Sequence, residues 1–300
     1  MSSSGQHQPR KRFGQHFLTD SAVIEQMVRT IQPSDEQIIV EIGPGQGALT
    51  LPLLDRIQHL HLVELDRDLI ADLTRRIASQ RITLHTTDAL KFDFATLCPA
   101  GRQLRIVGNL PYNISTPLMF HLLAQAEIIE DMHFMLQKEV VDRLVAQPGN
   151  SDWGRLSVMM QYQCACDELF FVPPSAFSPP PKVDSAIVRL QPHRPLPHPA
   201  EQPAMLQRLV AQAFTQRRKV ISNGIRSFLD SSAIAAAGVD PGLRPDAIDV
   251  AGFVALANAA ARAAGQSSST QSPSRRSHAG KTGSRQNRTE QDDSANSDEH

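Results

Sequence analysis

From about residue 21 to residue 190, short apolar runs alternate with stretches whose apolar positions recur at i, i+3 and i+4. Short runs bounded by Gly, Pro or Asp suit buried strands, and the 3.6-residue period suits amphipathic helices. Their alternation predicts a doubly wound α/β domain, a parallel sheet covered by helices. The strands fall at 37–42, 59–65, 82–86, 104–108, 132–137, 169–172 and 186–190, the first five carrying the centre of the sheet. The helices fall at 21–31, 48–56, 69–79, 116–124, 139–146 and 155–163, with Ser115 ahead of Thr116-Pro117 reading as a cap and first turn.

The pattern changes at 191–199, where a proline at nearly every other position suits neither strand nor helix and reads as a stiff linker. Beyond it, helical periodicity at 205–215, 219–229, 234–238 and 250–264 predicts a small helical bundle. Residues 266–300 hold no large apolar side chain and so cannot offset the entropy of ordering; they read as a disordered tail. The resulting division is a flexible N-terminus over 1–10, the α/β domain over 11–195, the helical domain over 196–265 and the tail.

Composition narrows the class. The 300 residues are 41% hydrophobic and 20% charged, which suits a soluble globular chain. No apolar stretch approaches membrane-span length, and the polar start running into Arg10-Lys11-Arg12 does not resemble a secretory signal. Three cysteines, an odd and sparse set, suit a reducing compartment, so a cytoplasmic home is expected. Cys164-Ala165-Cys166 has no second Cys or His pair at metal-ligand spacing, and a one-residue gap in a strand turns both thiols to one buried face; no metal is expected. A net charge of -1 gives no global attraction to nucleic acid, so any RNA contact has to come from local basic runs.

Candidate chemistry lies at the strand ends. Gly43-Pro44-Gly45-Gln46-Gly47 joins the first central strand to a helix, letting a ligand approach the backbone and meet the helix N-terminus. Its glycines alternate and it carries Pro44, unlike the dinucleotide fingerprint, which leaves little room for a pyrophosphate; S-adenosylmethionine has none. Glu64, ending the next strand, is placed to accept both ribose hydroxyls, with Asp66 as a competitor. Asp88 after the third strand is placed to accept an adenine amine, with Ala89 leaving the ring room. After the fourth strand comes Asn109-Leu110-Pro111-Tyr112. An adenine amine is a weak nucleophile because its lone pair is delocalised into the ring. The Asn109 amide oxygen and the main-chain carbonyl of Leu110 or Pro111 offer acceptors for its two hydrogens, and Tyr112 offers a stacking face. The order of these four features along one sheet edge is more specific than any one of them.

With these residues in hand the chain strongly resembles the small-subunit ribosomal RNA adenine dimethyltransferases, over about residues 10–258. The resemblance runs through Arg12-Phe13-Gly14-Gln15-His16-Phe17-Leu18, Glu41-Ile42-Gly43-Pro44-Gly45-Gln46-Gly47, Val63-Glu64-Leu65-Asp66 and Asn109-Leu110-Pro111-Tyr112-Asn113. It continues in the aromatic loop from Val172 through Phe177 and Lys182 to Ala186, in Phe214-Thr215-Gln216-Arg217-Arg218-Lys219 and in Leu243-Arg244-Pro245. It implies a Rossmann-like seven-stranded methyltransferase sheet with a small C-terminal helical domain, and a monomer acting with S-adenosylmethionine on the small ribosomal subunit or its precursor. The reaction implied is dimethylation of the N6 amines of two adjacent adenosines near the 3′ end of 16S ribosomal RNA. Residue by residue it implies that His16, Leu18, Gly43, Gly45, Glu64, Asp88, Ala89 and Asn109 hold the donor, and that Phe177 stacks on the target base opposite Tyr112. Read without the family, Phe177 is a core aromatic and His16 a loop histidine.

Backbone grip on RNA is expected from Arg10, Lys11 and Arg12, from Arg217, Arg218 and Lys219, and from Lys182. Three other readings stand beside this one. They are an adenine N6-methyltransferase of large-subunit ribosomal RNA, an assembly factor that binds immature small subunits without chemistry, and a nicotinamide oxidoreductase.

Overall fold

The computed structural model describes residues 16–269. The chain enters through β1 (Phe17–Leu18) and α1 (Ser21–Ile31), then builds β2 (Ile38–Ile42), α2 (Thr50–Leu54), β3 (Leu60–Glu64), α3 (Arg67–Arg76), β4 (Ile82–Thr86), β5 (Leu104–Asn109), α4 (Ser115–Leu123) and β6 (Ile129–Gln137). There follow α5 (Lys138–Val145), α6 (Arg155–Gln163), β7 (Cys164–Val172), β8 (Phe177–Ser178) and β9 (Ser185–Pro192). The helices α7 (Pro203–Thr215), α8 (Ile221–Gly224), α9 (Ser231–Ala236) and α10 (Val250–Ser269) complete the described chain.

The main sheet has seven strands in the order β4-β3-β2-β5-β6-β9-β7. Its first five are parallel, as the apolar runs predict, but β9 is reversed and lies antiparallel between β6 and β7. The reversal brings the start of β9 to the same edge at which β2 to β6 end: Ser185 stands opposite Gln137. A second, two-stranded sheet pairs β1 with β8, Leu18 opposite Phe177.

Side chains alternate across each strand, so the sheet has two cores. On one face Leu60 and Leu62 meet Met27, Val28 and Ile31 of α1 and Leu53 and Leu54 of α2. On the other, Val40, Val63 and Ile106 meet Leu118, Met119 and Leu122 of α4 and Val140, Val141 and Leu144 of α5. Gly108 makes the close approach of β5 to β2 possible: a β-carbon there would lie 2.5 Å from the Ile42 carbonyl oxygen. At the opposite edge, buried Arg105 forks onto Asp131, Nε to Oδ1 and Nη2 to Oδ2, both at 2.8 Å, and Nη1 reaches Gln37 Oε1 at 3.0 Å. Burial raises the Asp131 carboxyl, but His133 and Arg105 outweigh it and hold the group down to about 2.

The helical segment has its own core, in which Leu206, Leu209, Phe253 and Leu256 pack with Trp153, Val158, Met159 and Tyr162. Those last four precede the linker or lie in α6, so α6 serves both bodies, and Trp153 Nε1 donates to the Ile248 carbonyl at 3.0 Å.

Several local expectations change. Ser115 is the first residue inside α4 rather than its cap, and its hydroxyl donates back to the Tyr112 carbonyl at 3.1 Å. The 191–199 stretch is not all linker: β9 continues through Gln191 to Pro192, and His193 N–H donates to the Gln163 carbonyl at 2.8 Å. The helix read over 219–229 shrinks to Ile221–Gly224. Helix α10 runs to Ser269, into the segment read as tail; the rest of that tail and residues 1–10 lie outside the described residues. Cys164 and Cys166 do share one face, packing into the same core, and burial pushes the Cys164 thiol up to about 12.

Candidate active site

The carboxyl ends of the parallel strands converge on one cavity of about 260 Å³. His16 and Leu18, the glycine loop, Glu64, Asp88 and Ala89 all line it. So do Asn109, Leu110, Pro111 and Tyr112, so the predicted donor residues and the predicted acceptor turn share a single space.

Backbone conformation explains the loop. Gly43, Gly45 and Gly47 take φ of 66°, 56° and 81°, a region in which side chains are strained. Gly43 N–H donates to the Val63 carbonyl at 2.9 Å, tying the loop to β3, and Gly45 faces the Phe17 ring so closely that a β-carbon would sit 3.3 Å from it. The N-terminal segment therefore roofs the loop.

Four acidic residues line the cavity, Glu41, Glu64, Asp66 and Asp88, and Asp66 Oδ1 accepts the Asp68 N–H at 3.0 Å. Glu64 Oε1 accepts the Leu65 and Asp66 N–H groups at 2.7 and 2.8 Å, which fixes the carboxyl at the end of β3 beside the cavity. Burial pushes the Glu64 carboxyl up, against the lowering effect of backbone donors from Asp66, Leu65 and Gly45. Asp88 Oδ1 accepts the Leu90 N–H at 3.0 Å, the turn geometry that also holds Ala89 at the wall. The remaining carboxyl is Glu41, to which the sequence assigns no role because it sits inside an apolar strand. It is 2% exposed, accepts the Thr50 hydroxyl at 2.7 Å, and is pushed up to about 8 by burial, with the charge of Glu64 adding to it. A lone acid two residues before a glycine loop in an otherwise apolar strand is the available signal.

The Asn-Leu-Pro-Tyr turn is held at each residue. Asn109 Nδ2 donates to the His16 carbonyl at 3.2 Å, so the amide presents Oδ1 as its acceptor end. Leu110 N–H donates to the Met135 carbonyl at 3.3 Å. The Pro111 carbonyl already accepts Ile114 N–H at 3.1 Å, which leaves Leu110 as the better of the two main-chain acceptors considered. Tyr112 stacks on His16 with ring centroids 6.0 Å apart and planes at 24°, and its hydroxyl shares a hydrogen bond with Ser185 at 2.8 Å.

Phe177 does not join this constellation. It is 4% exposed, paired through β8 with Leu18, and packed in the core with Val172, Ala176 and Ile187 rather than lining the cavity. The core reading of this aromatic describes its position. Of the basic residues, Lys182, Arg218 and Lys219 are exposed, whereas Arg217 is half-buried and engaged within the chain. Its Nη2 donates to the Ser151 carbonyl at 2.5 Å and its Nε lies 3.7 Å from Asp246, so it is not a free phosphate ligand. Arg10, Lys11 and Arg12 lie outside the described residues. Among the described residues no group of three His, Cys, Asp or Glu side chains is arranged to hold a metal.

Comparison with known proteins shows the family. A family model described as ribosomal RNA adenine dimethylase matches residues 6–261. The chain is 62% identical over 253 residues to the ribosomal RNA small subunit methyltransferase A of Alcanivorax borkumensis, covering 84% of this chain and 90% of that one. To the protein of the same name from Pseudomonas aeruginosa it is 58% identical over 259 residues, 86% of this chain and 97% of that one. Among solved structures, a dimethyladenosine transferase from Plasmodium falciparum shares the fold at TM-score 0.69 and 23% identity, over 80% of this chain and 96% of that one. The 23S rRNA methyltransferase ErmE matches at TM-score 0.61 and 25% identity, over 82% and 99%.

Proposed function

This chain belongs to the ribosomal RNA adenine dimethylase family, and from that premise we propose how its residues dimethylate two adjacent adenosines near the 3′ end of small-subunit (16S) ribosomal RNA. The enzyme uses S-adenosylmethionine, whose sulfonium carries a methyl group ready for transfer. The protein's part is to bind, orient and exclude water.

The cavity suits that donor. Glu41 and Glu64 bring a buried and a half-buried carboxyl to a loop with little space for phosphate, and a cationic nucleoside with ribose hydroxyls offsets the unfavourable burial that raises both. Glu64 accepts from the ribose, Asp88 from the adenine amine of the donor, and Gly43, Gly45, Ala89, His16 and Leu18 shape the walls. For the target base, Asn109 Oδ1 and the Leu110 carbonyl accept the two hydrogens of the amine and localise its lone pair, while Tyr112 carries the ring. No side chain is needed as a nucleophile. The observation that carries this reading is the orientation of Asn109, whose nitrogen is committed to the His16 carbonyl and whose oxygen is thereby turned to acceptor duty.

RNA grip falls to Lys182, Arg218 and Lys219, with Arg10, Lys11 and Arg12 as further phosphate contacts. We read the protein as a cytoplasmic monomer. Support comes from its three unpaired cysteines and from the short roll of exposed large apolar side chains among the described residues, Leu51, Leu65, Phe171 and Val183. No described helix is long and apolar enough to cross a membrane.

The test is tritiated donor incubated with purified small and large subunits lacking the methyls, followed by mapping of the labelled base. Label is expected on adjacent adenines of the small-subunit RNA, and it should be abolished by Asn109→Ala and by Glu64→Ala. Label in large-subunit RNA, or full labelling by Asn109→Ala, would overturn the reading.

A further inference from the structure

A stacking face helps a reaction only if its plane is fixed, and the ring torsion of a tyrosine is broad when nothing holds its far end. The far end of Tyr112 is held. Its hydroxyl lies 2.8 Å from Oγ of Ser185, a residue 73 positions away in the chain and 0% exposed. Ser185 opens β9, with Gln137 of β6 opposite it on one side and Val172 of β7 on the other. Its backbone is thus clamped between two strands, and its hydroxyl does not drift with the ring. A buried hydroxyl is unfavourable unless it is hydrogen-bonded, so the two groups hold each other.

One face of the same ring carries the His16 imidazole, and His16 is itself tethered: its Nδ1 lies 2.8 Å from the carbonyl of Pro179, in the segment leading into β9. Edge and one face are therefore set by the two ends of the α/β body, leaving the second face for a planar ligand. Burial pushes the Tyr112 phenol up, so it remains protonated and able to donate.

We propose that Ser185 is a positioning residue for methyl transfer, fixing the Tyr112 ring at the tilt at which an extruded adenine stacks with its amine against Asn109 Oδ1. The proposal rests on the reading of the cavity given above. Ser185 does not touch the base; it acts through Tyr112, and its effect belongs in turnover rather than in donor binding.

The experiment compares wild type, Tyr112→Phe, Ser185→Ala and the double variant on small subunits lacking the methyls, with donor affinity measured by calorimetry. Each single variant should lower kcat about three- to tenfold, the factor for a hydrogen bond of ordinary strength. KM for the subunit should move less than kcat, and donor affinity should stay at the wild-type value. The double variant should be no slower than either single one, because both delete the same bond. Wild-type kcat in Tyr112→Phe, losses that multiply in the double variant, or a change confined to KM would each overturn the assignment. If Ser185→Ala does not fold, Tyr112→Phe decides alone, since it removes one oxygen from a half-buried ring. Asn109→Ala run alongside separates the two levels. Its full activity sinks the reading of the cavity, whereas an inactive Asn109→Ala beside a wild-type kcat in Tyr112→Phe sinks only the role of Ser185.

Discussion

Replacing Glu41 by Gln isolates the electrostatics of the cavity. The Glu41 carboxyl is almost wholly buried, and burial, reinforced by the charge of Glu64, outweighs the Thr50 hydrogen bond and moves it from 4.5 to about 8. A group whose folded pKa lies above its unfolded value holds its proton more tightly when folded. Its contribution to stability is therefore complete below pH 4.5 and is lost as the pH rises from there through about 8. At about 1.4 kcal/mol per pH unit the loss has a ceiling of about 5 kcal/mol, and water entering the open cavity reduces it to roughly 2 to 4 kcal/mol. Gln reproduces the protonated acid in shape, keeps an acceptor for Thr50 and does not titrate. Urea unfolding at about pH 5, 7 and 9 is the assay, using the midpoint and slope at each pH. The two proteins should agree within about 1 kcal/mol at the acid end, and the variant should then pull ahead by roughly 2 to 4 kcal/mol at the alkaline end. Stabilities that run parallel across the whole range would refute the reasoning, because they would mean that Glu41 is ionised in the folded protein at every pH tested.

Asp131→Ala strands the buried Arg105 guanidinium and should cost about 3 to 5 kcal/mol, read as a lower urea midpoint at unchanged slope. His61 is lowered from 6.5 to about 4 by burial and by its neighbours His59 and His85, so it stays neutral when folded; stability should fall as the pH drops from 6.5 towards 4. Because His61 is only half-buried the loss should be no more than about 1 to 2 kcal/mol, and His61→Gln should flatten the acid limb of the pH–stability curve. Arg218→Ala and Lys219→Ala should each reduce the salt slope of RNA binding by about one, while Arg217→Ala should leave the slope alone and lower the melting temperature. Gly108→Ala puts a β-carbon 2.5 Å from the Ile42 carbonyl and should destabilise by about 2 to 3 kcal/mol, measured by urea unfolding.

The parallel centre of the sheet was legible because its strands are short, apolar and punctuated: helices 21–31 and 155–163 and strand 82–86 fall at the predicted residues. The outer strands were underestimated where charge interrupts the run. β6 begins at Ile129 although Glu130 and Asp131 follow, because Asp131 is neutralised by an arginine on the neighbouring strand that local reading does not see. β7 likewise begins at Cys164 and passes through Asp167 and Glu168, with Asp167 paired to Arg189 across the ladder at 2.9 Å. The 191–199 segment misled because prolines were read without their partners: Pro192 closes β9 opposite Cys164. In the cavity, residues at strand ends were found because topology dictates where they meet. Glu41 was missed because a single acid among apolar neighbours looks the same whether it is misplaced or functional. Arg217 resembled a phosphate ligand because its partners, Ser151 and Asp246, lie far away in sequence. The assignment of Phe177 to the base rested on family likeness, and local chemistry, which made it a core residue, described its position.

The reversed strand also governs when the enzyme comes into being as it leaves the ribosome. Segment 164–172 emerges before 185–192, yet its partner in the sheet is that later strand, so a nascent chain halted near residue 180 holds β7 with its ladder hydrogen bonds unmade. The anchor for Tyr112 and the tether for His16 are translated in the same late stretch. Truncated chains ending before 185 should accordingly be cut by protease within β7, and a newborn enzyme acquires its working geometry only after most of its length has been synthesised.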